Sequence, residues 1–197
     1  MLGWSQNHKG PIHKSQNHKR QAMTSYKLLI ADPSYSSWSL RGWLCFAAFN
    51  LPVSVQVTRL YEPQFTTDLT AFSPRARTVP TAIASDGAEM TDSLTIAEEL
   101  AQRHPEAGLL PASPQERALA RSLMAEMHSG FHTLRGDCPM NTRNAYANSP
   151  VSDALLRDLQ RMESLWQPRK SPWLFGESYS AADAFFAPVA VGGGRCI

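Results

Sequence analysis

The stretch Tyr26–Phe49, Y-K-L-L-I-A-D-P-S-Y-S-S-W-S-L-R-G-W-L-C-F-A-A-F, decides the fold. Its first six residues form an apolar run of strand length, ended by Asp32-Pro33, where proline removes a donor and turns the chain. Ser36 and Ser37 then offer side-chain oxygens able to cap a helix, and the apolar residues that follow carry that helix to Asn50, before Leu51-Pro52. Beyond it Val53, Val55 and Val57 alternate with polar residues, as a second strand requires. A strand, a helix and a strand joined this way make a right-handed parallel crossover.

Working outward, residues 58–80 read as irregular. Asp86-Gly87 is a turn signal between Thr81–Ala84 and Ala88–Met90, predicting a hairpin that extends the sheet in the antiparallel sense. Asp92-Ser93 starts another helix with Leu94, Ala97, Leu100 and Ala101 on one face, ending near His104-Pro105. This is the element order of a thioredoxin-like domain, expected over residues 23–107. After a linker at Gly108–Pro114 the pattern changes to helical period. Leu119, Leu123, Met127, Phe131 and Leu134 form one stripe, and Val151, Leu155, Leu159, Met162 and Trp166 another, predicting an all-α domain over residues 115–191.

Composition bounds what such a chain can do. Its 197 residues are 43% hydrophobic and 18% charged, which excludes a disordered or collagen-like protein. No apolar run approaches a membrane span, and the N-terminal lysines have no apolar segment behind them, so a cytoplasmic protein without membrane partners is expected. Lys9, Lys14, Lys19 and Arg20 concentrate basicity in residues 1–22, leaving 15 basic against 17 acidic residues elsewhere. The main body is therefore not a nucleic-acid binder by charge. The leader repeats S-Q-N-H-K at Ser5–Lys9 and Ser15–Lys19; its His8, His13 and His18 are five apart with no cysteine or acid to complete a metal shell, and it reads as a disordered basic extension ahead of Met23. Cys45, Cys138 and Cys196 form neither a disulfide framework nor a zinc knuckle. His128 and His132 are four apart on a helix and lack a third ligand, so no metal is expected.

Four segments carry a resemblance to a known family: Y-S-S-W-S-L-R-G-W-L at 35–44, S-P-R-A-R-T-V-P-T at 73–81, D-S-L-T-I-A-E-E-L at 92–100, and W-L-F-G-E-S-Y-S-A-A-D-A at 173–184. In this order and spacing they resemble a glutathione S-transferase, and the first is similar to the S-S-x-S-x-R motif of the zeta class, the maleylacetoacetate isomerase-like enzymes, and of related bacterial transferases. The resemblance runs from Tyr26 to about Val191. It implies a glutathione-binding thioredoxin-like domain, a helical domain that holds a small electrophile, and a homodimer.

The same residues have a physical reading. The first turn of the first helix, where unpaired N–H groups and the dipole favour an anion, carries serine where a redox protein would have a nucleophilic cysteine. A serine can donate its O–H to a ligand's thiolate. A free thiol has a pKa of ~8.5, and lowering it by roughly two units takes about 2.7 kcal/mol, the size of one charge-assisted hydrogen bond helped by a helix end. Matched to the family motif, the catalytic hydroxyl falls on Ser36, with Ser37 the alternative and Trp38 beside the ligand; Trp38 stands where the zeta motif often has cysteine. Arg41 matches the motif's arginine and is expected to be structural. The resemblance makes the Val79-Pro80 peptide cis, so that Val79 pairs with the cysteinyl part of glutathione. It also assigns the γ-glutamyl carboxylate to Ser93 and its ammonium to Asp92. Read without the family, Asp92-Ser93 is only an N-cap, and sequence does not separate the two.

Cys138–Arg143 interrupts the helical pattern and places Met140, Asn141 and Arg143 near the cleft as a candidate electrophile pocket, with Arg143 as an anion anchor. Ser180–Asp183 reads as a capping box in which Asp183 serves folding. Gly192–Gly194 should end the helix that follows, since each glycine costs about 1 kcal/mol relative to alanine. Residues 192–197 are then an aberrant tail. The family's further C-terminal helices would be missing, with Phe185, Phe186, Val189 and Val191 partly exposed. The leading expectation is a glutathione transferase. The alternatives are a glutathione-dependent cis-trans isomerase, a non-catalytic binding or stress-regulatory module, and a truncated inactive product.

Overall fold

The computed structural model describes residues 25–144, 150–167 and 171–196; the basic leader lies outside them. Strands β1 (Tyr26–Ile30), β2 (Val53–Val57), β3 (Thr81–Ala84) and β4 (Glu89–Met90) form one sheet in the order β2-β1-β3-β4. β1 pairs parallel with β2, Tyr26 opposite Val53, and antiparallel with β3, Tyr26 opposite Ala84. Helix α1 (Ser37–Ala47) is the crossover between β1 and β2, and α3 (Ser93–Arg103) follows the hairpin of β3 and β4. The expected thioredoxin-like order is present.

β1 is buried on both faces, and its side chains divide by the two-residue period of a strand. Tyr26, Leu28 and Ile30 join Phe46, Ile96 and Leu100 in the main core, whereas Leu29 and Ala31 face Leu69, Ala76 and Val79 on the other side. That second face exposes a helix absent from the sequence reading: α2 (Gln64–Phe72) lies within the stretch expected to be irregular. Its threonines and aspartate are poor helix formers, but Phe65, Leu69 and Phe72 recur at i, i+4 and i+7 and cover the sheet.

The chain then passes through a 3-10 turn at Pro105–Ala107 to helices α4 (Pro114–Ser129), α5 (His132–Asp137), α6 (Asp153–Trp166) and α7 (Ala181–Cys196). α4 opens with proline inside its first turn and Ser113 as cap, and α6 with Ser152 as cap. The expected first stripe does not lie on one helix. α4 stops before Gly130, Phe131 takes a left-handed conformation at φ 55°, and Leu134 belongs to α5. Leu119 is exposed at 52%, with Ala120, Leu123, Met124 and Met127 forming the buried side instead; Val151 is likewise exposed and precedes α6.

α7 is the buried centre of the helical layer and packs against α1 and α4. Its start is the expected capping box: Asp183 accepts the Ser180 N–H at 2.9 Å and the Ser180 hydroxyl at 2.6 Å, and its other oxygen takes the Leu174 N–H at 2.8 Å. Two expectations about this helix are corrected. It runs on through the three glycines to Cys196, because a helix already formed by buried turns is extended far more cheaply than it is nucleated. Phe185, Phe186 and Val189 are buried, enclosed by Phe131, Trp166 and the sheet-side core.

Candidate functional site

The site grows from the end of β1. Asp32 accepts the Ser34 N–H at 2.8 Å, forming a tight turn, and its carbonyl takes the Ser36 N–H at 2.9 Å. Ser36 then caps α1 in an extended conformation, its Oγ accepting the Ser39 N–H at 3.3 Å. The Ser36 hydroxyl donates to Ser39 Oγ at 2.9 Å, and Ser39 Oγ also accepts the Ala31 N–H at 2.9 Å. Ser36 is buried and Ser39 completely so. Ser37, the first helical residue, is half-buried and makes no hydrogen bond through its hydroxyl to the described residues. The two candidate serines therefore differ: one is preorganised within a network, and the other is free.

The peptide Val79-Pro80 is cis, as the resemblance implied, and both residues are buried. α1 packs directly on it: a Cβ on Gly42 would stand 2.6 Å from Pro80 Cγ and 2.8 Å from Pro80 Cβ. Only glycine lets the helix and the proline approach this closely.

At the start of α3 the structure separates what sequence left joined. Asp92 is the cap, taking the Leu94 N–H at 2.7 Å, so Ser93 is not needed for that role. The Ser93 side chain is fully buried and its Oγ has no hydrogen-bond partner among the described residues. A buried hydroxyl at a helix N-terminus without an acceptor or donor suits an arriving carboxylate.

Trp38 closes the space between the two layers. The Arg41 guanidinium lies 4.6 Å and that of Arg135 4.4 Å from its ring, and the His128 ring meets it edge-on at 5.0 Å. His128 Nε2 is also 3.8 Å from Asp92 Oδ2, so α4 reaches the cap of α3. Arg41 is fully buried, and Nε, Nη1 and Nη2 all lack an acceptor among the described residues; Trp38 and, at 5.6 Å, Phe185 supply only ring faces. Burial lowers its pKa to about 9, with Arg135 pushing the same way and Asp92 opposing, so it stays charged at neutral pH. Two guanidinium groups against one carboxylate leave this junction positive.

Met140 and Asn141 are buried, and Asn141 Oδ1 receives the N–H groups of Arg143 and Asn144 at 2.9 and 3.0 Å. The Thr142 N–H bonds Ser34 O at 3.1 Å, which brings this segment onto the loop entering α1. Arg143 is committed there: Nη2 is 2.8 Å from Asp32 Oδ2, Nε is 3.2 Å from Ser34 Oγ, and the guanidinium stacks on Tyr35. It clasps the two loops, which leaves it poorly placed as the open anion anchor that sequence suggested. Sequence reasoning missed Ser39, whose i+3 spacing from Ser36 was a readable signal, and Arg135 with His128, which meet Trp38 only because the chain breaks at Gly130. Among the described residues no group of three His, Cys, Asp or Glu could hold a metal. A cavity of about 850 Å³ lies at the other end of β1 around Ser25, Pro52 and Gly87, remote from these residues.

A thioredoxin-like layer with a serine-capped first helix and a cis-proline loop, packed on a helical layer, is the two-layer architecture of a glutathione transferase. The family model "Glutathione S-transferase, N-terminal domain" matches residues 35–103, and this match, the relatives and the fold together support a member of the glutathione S-transferase family. It is 27% identical to a probable maleylacetoacetate isomerase of Caenorhabditis elegans over 88% of this chain and 82% of that protein. It is 26% identical to the maleylacetoacetate isomerase of Rattus norvegicus over 79% and 72%. Among solved structures, a Methylococcus capsulatus glutathione transferase superposes with a TM-score of 0.63 at 25% identity, covering 84% of this chain and 80% of that one. A Burkholderia glutathione transferase homologue solved with bound glutathione gives 0.63 at 21% identity, covering 88% and 83%, a likeness of fold.

Proposed function

We propose that the chain is a glutathione transferase that ionises the glutathione thiol at the N-terminus of α1 for attack on a small electrophile held against the helical layer. The observation that carries this reading is the Ser36 hydroxyl, fixed at the helix cap where a redox relative would hold its own nucleophile. In this reading Ser93 and Asp92 hold the γ-glutamyl end, and Val79 lines the cysteinyl backbone. Ser36 donates to the sulfur, with Ser37 the neighbouring alternative. Trp38 stands beside the glutathione; Met140, Asn141 and the helical segment carrying Arg143 bound the electrophile side, and Arg143 shapes it through Asp32 and Ser34. No metal takes part in this scheme. A cytoplasmic homodimer is proposed with it; no helix among the described residues is long and apolar enough to cross a membrane.

The test is retention on immobilised glutathione followed by turnover. Ser36→Ala should lower turnover by ~10–100-fold, the equivalent of about 1.4–2.7 kcal/mol, with glutathione affinity much less affected. Full activity in that variant, with the loss found in Ser37→Ala, moves the role one residue along. Binding without turnover in the unaltered chain would point to a binding module instead. A second reading is favoured by the names of the two curated relatives: a cis-trans isomerase adds and expels the same thiol, so free glutathione is recovered, whereas a transferase releases a conjugate.

A further inference from the structure

We propose that Ser39 is a positioning residue that turns the Ser36 hydroxyl toward the glutathione sulfur; the inference rests on the reading that Ser36 is the thiolate's donor. The difficulty it resolves is in the hydrogen-bond count. As the site stands, Ser36 spends its single hydroxyl hydrogen on Ser39 Oγ at 2.9 Å, and a group that has given its hydrogen inward has none for a ligand.

The geometry contains its own remedy. Two hydroxyl oxygens 2.9 Å apart share one hydrogen, and either side can supply it by rotation about its Cβ–Oγ bond with no heavy atom moving. Ser39 Oγ accepts the Ala31 N–H, which fixes its position, and its own hydroxyl hydrogen has Ser36 Oγ as the oxygen in reach. In the reversed arrangement Ser39 donates to Ser36 and Ser36 donates to sulfur. Ser36 Oγ then accepts two hydrogens, from the Ser39 N–H at 3.3 Å and from the Ser39 hydroxyl, which fills its two lone pairs. Each hydroxyl proton stays on its own oxygen throughout.

A hydroxyl that accepts a hydrogen bond becomes a better donor, so the chain Ala31 N–H, Ser39, Ser36, sulfur strengthens its last link. Complete burial of Ser39 keeps water from replacing it. Ser37 makes no comparable bond among the described residues, so this wiring also favours Ser36 over its neighbour as the sulfur's partner.

The experiment titrates the thiolate ultraviolet absorbance of glutathione bound to the purified protein. Ser39→Ala is expected to raise the bound thiol's pKa by roughly 0.5–1 unit, a ~3–10-fold loss of thiolate below that pKa, with the dissociation constant changed less than about twofold. Ser39→Thr, which keeps the hydroxyl, should restore it. Ser39→Cys keeps a weak acceptor for Ala31 and a poor donor for Ser36, and should reproduce the shift if the alanine variant does not fold. A folded Ser39→Ala or Ser39→Cys protein with the unaltered thiol pKa overturns the relay. If Ser36→Ala still raises the pKa in that case, the relay alone has failed; if Ser36→Ala also leaves it unchanged, the serine reading of the site fails with it.

Discussion

Ser93 keeps a buried hydroxyl without a partner among the described residues, because its neighbour Asp92 has taken over the helix cap. Ser93→Ala breaks no hydrogen bond within the described residues, so fold stability should hold while glutathione binding weakens by ~10–100-fold, the worth of one hydrogen bond to a charged group. Calorimetric titration reads the binding, and the saturated rate should stay nearly unchanged because the γ-glutamyl end is remote from sulfur. An unaltered dissociation constant would remove Ser93 from the site. At this scale the sequence was informative about identity and blind to occupancy. Ser36, Val79-Pro80 and Asp92-Ser93 were legible as motif positions. That Asp92 alone does the capping, that Arg143 is spent on Asp32, and that Arg41 is buried between Trp38 and Phe185 depend on contacts between residues far apart in the chain.

Elements are held in place by single close approaches. Gly42 is where α1 meets the cis-proline loop, and any Cβ there overlaps Pro80 backbone-adjacent ring atoms that cannot swing aside. Gly42→Ala should therefore destabilise the fold by about 1–3 kcal/mol despite alanine's better helix propensity, read as a lowered denaturation midpoint. A midpoint at or above that of the unaltered chain would show that the loop yields. Between α4 and α6, Arg161 donates to Glu126 through Nε at 2.6 Å and Nη2 at 2.9 Å, and this hydrogen bonding holds the Glu126 carboxyl below the usual glutamate range. A depressed carboxyl pKa contributes stability that is present above the unfolded value and lost as pH falls through the folded one. The pair is partly exposed, so its share is about 0.5 kcal/mol, and Glu126→Gln should flatten that part of the acid limb of a stability profile. Elements with strong period were legible in advance, α1, α3 and α6 among them. α2 was hidden by weak helix formers around a sound Phe65-Leu69-Phe72 pattern, and the break between α4 and α5 by an unbroken run of apolar spacing across Gly130.

The two layers share one core: Phe46, Ile96 and Leu100 of the sheet side are continuous with Met124, Met127 and Phe185 of the helical side. Sequence divided the chain at residues 108–114, but in space that connection is fastened, with Leu109 buried and its carbonyl receiving the Ala181 N–H at 2.7 Å. The first amide of α7 thus has its acceptor outside its own helix, in the segment between the layers. Isotope exchange at this one amide is consequently a gauge of whether the layers ever part. If they separate as units before either melts, the Ala181 hydrogen will be replaced by deuterium faster than those of the α7 interior. If they open only together, Ala181 will exchange at the rate of the slowest amides of β1, and a ligand entering between the layers, as the proposed function has glutathione do, will find a door that moves at its edges and not on a hinge.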